Sequence, residues 1–128
     1  IGNVAGCDML LRNAARSPVT LDRFPDGQSP RRCYIGPFSL ARIMLGLLDA
    51  RRPLPPVLNV AAPGSVPMSD LLDAAHLDYA RRPAPSGAMP DLRLDLSRLG
   101  EIVPLDRDWG RAKTLVAEAR LAGWAPAT

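Results

Sequence analysis

Arg31 and Arg32 stand just ahead of Tyr34, at the start of a β-favouring run. An arginine at a strand start can lay its planar fork on a phosphate through two parallel hydrogen bonds. The competing use is a surface pair that neutralises Asp22 or Asp26. Asn3, set between Gly2 and Gly6, suits a turn in which its side chain satisfies nearby backbone groups. His76 is the single histidine and falls near a predicted helix C-terminus, where an imidazolium is mildly favoured and solvated. Cys7 and Cys33 offer neither a disulfide framework nor a zinc spacing, so small core fillers describe them best. A metal site needs more His, Cys or clustered carboxylate ligands than this.

The familiar catalytic constellations are missing. Lys113 is the only lysine. A tyrosine–lysine pair of the Y-x-x-x-K kind needs lysine four positions on, but Phe38 follows Tyr34 at that spacing and Pro83 follows Tyr79. The sequence contains no Gly-Lys-Ser/Thr phosphate loop, no G-x-S-x-G elbow, and no G-x-G-x-x-G or G-x-x-G-x-x-G fingerprint for a dinucleotide. No complete catalytic apparatus is present.

Composition bounds the rest. The chain has 128 residues, 47% hydrophobic and 23% charged, enough for one domain with a core and too apolar for disorder. The longest apolar stretch, 38–48, is interrupted by Arg42 and falls far short of the ~20 residues of a membrane span. A signal peptide is not visible, so a reducing cytoplasm is the expected location. Fifteen arginines are scattered along the chain and the net charge is only +3, so no nucleic-acid partner is expected. The first residue is Ile1, which suits a segment of something longer.

The elements that must position these residues alternate helix and strand. The pattern predicts a short helix over 8–16, a strand at 19–21, a turn at Pro25-Asp26-Gly27 and a strand over 32–35. The clearest helix spans about 37–51, opened by Pro37 and stopped by Pro53. Its polar or small positions, Ser39, Arg42, Gly46 and Asp49, form one narrow stripe, so most of its circumference asks for burial. That is more cover than a chain of this size readily supplies. Residues 57–61 read as a strand covered on both faces. A helix over 66–75 with Ser65 as N-cap, an alternating strand over 91–96, a short helix from Ser97 and a last helix over 109–122 capped by Asp108 complete the order. On that last helix Arg111, Lys113, Glu118 and Arg120 are assigned to solvent.

Four segments together resemble the extended short-chain dehydrogenase/reductases, the NAD-dependent epimerase/dehydratase family. Ile1-Gly2-Asn3-Val4-Ala5-Gly6 resembles the R-x-x-N-x-x-G segment, and residues 32–41 (RCYIGPFSLA) resemble R-D-Y-I-H-V-x-D-L-A. Leu58-Asn59-Val60-Ala61 followed by Ser65 resembles Y-N-x-G…S, and Asp95-Leu96-Ser97-Arg98-Leu99 resembles D-x-S-K/R-x-x-x-L-G. Order and spacing hold over roughly residues 1–105. Cys33, Gly36 and Ser39 stand where the second segment has Asp, His and Asp, which sets the chain apart from a standard nucleotide-sugar epimerase.

The resemblance implies an α/β fold, the C-terminal part of an NAD(P)-binding Rossmann-type enzyme, with late sheet strands plus a small substrate-binding lobe. It implies that 1–128 is one substrate-binding portion, and that the Rossmann half with its NAD or NADP and its catalytic pair lies elsewhere. No cofactor is expected on this segment alone, and no catalysis. Asn3 would lie beside a small-molecule substrate, a nucleotide sugar being one candidate, and Arg32 would reach its phosphate. The alternative is a stand-alone interaction or regulatory module built on the same fold, with the apolar surface of helix 37–51 as its partner site.

Overall fold

The computed structural model describes residues 6–124. Five helices and five short strands alternate along the chain: α1 (Asp8–Arg16), β1 (Val19–Arg23), β2 (Arg31–Arg32), α2 (Pro37–Leu48), β3 (Val66–Pro67), α3 (Met68–Ala74), β4 (Tyr79–Pro83), β5 (Asp91–Leu92), α4 (Ser97–Gly100) and α5 (Ala112–Leu121). A 3-10 turn, Arg107–Gly110, precedes α5. The expected α/β class is the observed one.

The strands form two small sheets. β1 and β4 pair in parallel, Val19 opposite Tyr79 through Arg23 opposite Pro83. In the other sheet β2 lies centrally, antiparallel to β3 and parallel to β5. Beyond β2, Ile35 makes a single parallel bridge with Gly6. Parallel neighbours need crossover connections, and helices supply them here.

Two cores hold these layers. One gathers Leu11 of α1, Leu21 of β1, Leu71 and Leu72 of α3, and Leu115 and Val116 of α5. The other gathers Ile35, Ile43 and Leu47 of α2, Leu58 and Val60, and Leu99 with Val103. Each Leu, Ile or Val buried this way contributes roughly 1.5–3 kcal/mol against exposure.

Several elements differ from expectation, each for a local reason. Residues 57–61 form no regular strand, and within them only Val60 sits at a single β-bridge. Leu58, Val60 and Ala61 are buried as a covered run should be, but Val57 is exposed, and the neighbouring chain is engaged by a loop hydrogen bond from Ala62 N–H to Tyr34 C=O (2.8 Å). Burial was readable there and strand pairing was not. Residues 66–67 pair as β3 before the helix begins, so Ser65 is not its N-cap. The strand at 91–96 pairs only over Asp91–Leu92. The last helix is split: Asp106 accepts the Asp108 N–H (2.9 Å) and opens the 3-10 turn, then Arg111 adopts an extended conformation before α5. Gly110 sits against the preceding loop, where a Cβ would lie 2.6 Å from Pro63 O.

The stripe on α2 is split: Arg42 and Asp49 are exposed as expected, but its other two members turn inward. Ser39 is buried and Gly46 half-buried, facing the interior with Ile43 and Leu47, whereas Phe38, Met44, Leu45 and Leu48 point outward. Leu45 is 66% exposed and Leu48 is 82% exposed. The helix asks for more burial than the described residues give it.

Candidate functional site

β2 carries both arginines, and the structure gives them different work. Arg31 donates from Nε to Ser65 Oγ (3.1 Å) and from Nη2 to Ser65 O (2.8 Å), locking the loop that leads into β3. Asp91, on the neighbouring strand β5, receives Arg93 at 2.9 Å. The Arg93 hydrogen bond, with Ser65 and the Arg31 charge adding to it, holds the Asp91 carboxyl below the ordinary carboxylate range. Arg31 is therefore a structural clamp that joins β2, β3 and β5.

Arg32 is half-buried and lies opposite Val66 on one side and Leu92 on the other. Its Nη1 donates to Arg31 O (2.7 Å) and Met89 O (3.1 Å). These bonds orient the guanidinium, while its Nε and Nη2 have no partner among the described residues. A fork held at one nitrogen and open at the others can take an anion bidentately. The neutralising pair with Asp22 or Asp26 does not form. Asp22 pairs instead with Arg82 (2.8 Å), and Asp26 accepts the Gln28 N–H. Asn3 lies outside the described residues.

Next to Arg32, Cys33 and Tyr34 turn inward. The Leu94 N–H donates to Cys33 Sγ (3.3 Å). Burial pushes the Tyr34 phenol up to about 12 despite the pull of the Arg32 charge, and pushes the Cys7 thiol up to about 11. Both are neutral acids at physiological pH, unsuited to act as bases or thiolate nucleophiles. His76 is exposed just past α3.

Two other resembling segments meet in space. Asn59 donates to Asp95 O (3.2 Å), and Arg98 reaches Val57 O (3.4 Å). The Asp95 carboxylate accepts from Ser97 N (2.9 Å) and Ser97 Oγ (2.7 Å), which lowers its pKa. The small recess they line, about 140 Å³, is bounded by groups already bonded to one another. Here the resemblance marks a structural joint.

Two residues of α5 assigned to solvent are half-buried instead. Arg120 donates from Nη2 to Ala75 O (3.1 Å). Glu118 is the other. Its Oε2 accepts the Ser39 N–H (3.0 Å) and its Oε1 the Ser39 hydroxyl (2.6 Å). Gly36, the N-cap of α2, has no side chain to satisfy the N3 amide, so a carboxylate from α5 caps the helix from outside. A Cβ at Gly36 would collide with that carboxylate. A helix start without a capping side chain was the available signal, though it could not say which acid answers it.

Among the described residues no group of three or more His, Cys, Asp or Glu could hold a metal ion, and no helix is long and apolar enough to cross a membrane.

No family model and no curated protein matches the sequence. Solved structures do match the fold. UDP-glucuronic acid 4-epimerase from Bacillus cereus, solved with NAD, superposes over 94% of this chain and 43% of its own, with a TM-score of 0.55 and 13% identity. The NAD-dependent NDP-hexosamine 5,6-dehydratase TunA of tunicamycin biosynthesis covers 93% of this chain and 44% of its own (TM-score 0.54, 16% identity). The Bordetella bronchiseptica enzyme WbmH, solved with NAD+, covers 94% and 44% at the same TM-score and identity as TunA. Nearly the whole chain thus shares its fold with part of these NAD-bound or NAD-dependent enzymes, an epimerase and a dehydratase among them. It spans less than half the length of these enzymes.

Proposed function

We propose that this chain is the substrate-binding, C-terminal portion of an NAD(P)-dependent epimerase/dehydratase-like oxidoreductase, and that it is not catalytic by itself. The observation that carries this reading is the superposition of nearly the whole chain on less than half of an NAD-bound 4-epimerase, an NAD-dependent 5,6-dehydratase and a third NAD-bound enzyme. The complete enzyme would transfer hydride between NAD or NADP and a hydroxyl-bearing carbon of a small substrate, a nucleotide sugar being the leading class. The cofactor half would supply the dinucleotide site and the tyrosine–lysine pair, and this portion would orient the substrate. Arg32 would take a substrate phosphate with its open N–H groups, and Asn3 would lie beside the reacting sugar on the strength of the resemblance alone. The outward face of α2 would dock on the cofactor half.

The test begins with the coding region upstream of Ile1. A G-x-x-G-x-x-G and a Y-x-x-x-K encoded there, in frame, are expected. Protein containing both halves should reduce NAD+ or epimerise a nucleotide sugar, and Arg32→Ala should raise KM at least about tenfold with a smaller change in kcat. Turnover by the 128-residue chain alone with NAD+ would overturn the division of labour.

The outward apolar face of α2 also suits a stand-alone interaction module of the same fold. The two readings part on the upstream sequence: an independent module needs no cofactor motifs there.

A further inference from the structure

On one flank of α2 an open cleft of about 740 Å³ runs between the helix and the 103–109 segment. None of the residues that carry the family resemblance lines it. Gly46 and Val103 form its floor, where a Cβ on residue 46 would lie 2.5 Å from Val103 Cγ1, so the helix lies close on that segment. Arg42 reaches the cleft from α2, and Arg107 and Trp109 reach it from the 3-10 turn.

The charge balance there is unusual. Arg42 has no acid within helical reach, since Phe38, Ser39, Leu45 and Gly46 occupy the positions three and four away. Neither Arg42 nor Arg107 forms an ion pair among the described residues; the arginines that do are Arg82, Arg93 and Arg111. Asp108 is taken by Arg111 (3.1 Å). Asp106, the one acid in the lining, has an oxygen committed to the Asp108 N–H. Two exposed arginines therefore line the cleft beside one partly occupied carboxylate. Trp109, half-buried against the second core, supplies a fixed aromatic wall. The volume lies within the range of small-molecule sites.

We propose that this cleft binds a phosphomonoester bearing a planar ring, with Arg42 and Arg107 on the phosphate and Trp109 against the ring. Guanidinium forks match phosphate oxygens, and an indole gives a π-face to a flat heterocycle. The site does not depend on the epimerase/dehydratase reading.

Calorimetric titration of the full chain with AMP at low ionic strength tests it, with adenosine and ribose phosphate as the two half-ligands. Saturable AMP binding is expected, with each half-ligand weaker by about tenfold or more. Arg42→Ala and Arg107→Ala should each weaken AMP by at least about fivefold, and Trp109→Leu should weaken AMP while leaving ribose phosphate unchanged. Both arginines are exposed, so their removal leaves the core intact, and circular dichroism verifies the fold. An absence of saturable AMP binding, or AMP affinity unchanged in both arginine variants, overturns the proposal.

Discussion

At the scale of single residues, Glu118 ties α5 to the start of α2. It is the acceptor for both the amide and the hydroxyl of Ser39, a serine only 1% exposed. Its negative charge also faces the positive N-terminus of α2. Glu118→Ala leaves two buried donors without an acceptor and should cost about 1–3 kcal/mol, read as a lower urea midpoint. Glu118→Gln keeps one acceptor oxygen and should lose less. Equal losses in the two variants would show that the retained acceptor oxygen contributes nothing and that the charge, absent from both, carries the cap. Cys7 and Tyr34 give the protein an alkaline limit. Burial raises Cys7 from 9.0 to about 11 and Tyr34 from 10.0 to about 12. Between the ordinary and the raised values the folded chain retains protons that the unfolded chain has released. Stability is thus intact below about pH 9 and falls as pH rises toward about 12, by on the order of 2 kcal/mol per group. Urea midpoints across that range measure it. Cys7→Ala should flatten the lower part of the decline and Tyr34→Phe the upper part.

At the scale of elements, α3 and α5 end in the same way with different residues. After α5, Gly123 sits at φ 75° and donates to Arg120 O (3.1 Å), while the Trp124 N–H reaches back to Ala119 O (2.7 Å). After α3, His76 takes φ 56° and donates to Asp73 O (3.0 Å), and the Leu77 N–H reaches Leu72 O (3.0 Å). Both are Schellman ends, and only one has the residue that adopts this conformation without a steric penalty. His76→Gly should stabilise the chain by about 0.5–1 kcal/mol, after glycine's extra unfolded-state entropy is counted, and Gly123→Ala should destabilise it by about 1 kcal/mol. Thermal unfolding reads both, and a lower Tm for His76→Gly would contradict the argument. These endings also show what is legible in sequence. Gly123 announces a helix stop, and α1 is bounded as its residues suggest, because local propensity decides such limits. The 57–61 run, the inward turn of Ser39 and Gly46 on α2 and the role of Glu118 are set by contacts between distant segments, which a local pattern does not record. At the candidate site, the resembling segment drew attention to Arg32, and its two backbone hydrogen bonds through Nη1 could not be read from sequence. Nor could Arg31's clamp on Ser65, a residue 34 positions away.

At the scale of the whole molecule, the uncovered face of α2 dominates. Phe38, Met44, Leu45 and Leu48 share its outward side, and Leu54 and Val57 lie exposed on the chain that follows. Beside them Leu47, Leu48, Leu54 and Leu58 line an apolar recess of about 200 Å³. Contiguous apolar surface of this kind is rare on a protein that works alone, because each buried leucine would return roughly 1.5–3 kcal/mol once covered. Leu45 and Leu48 contribute little to the chain's own core. Replacing both with Glu should therefore leave its thermal midpoint nearly unchanged. The same change should lower binding of a hydrophobic dye and reduce self-association on size exclusion. In protein containing the proposed cofactor half, it should instead separate the two halves, read as lost protection of α2 amides in hydrogen exchange. If the double variant unfolds the isolated chain, α2's outward face belongs to a core within this domain. If neither dye binding nor exchange changes, that face is not a docking surface.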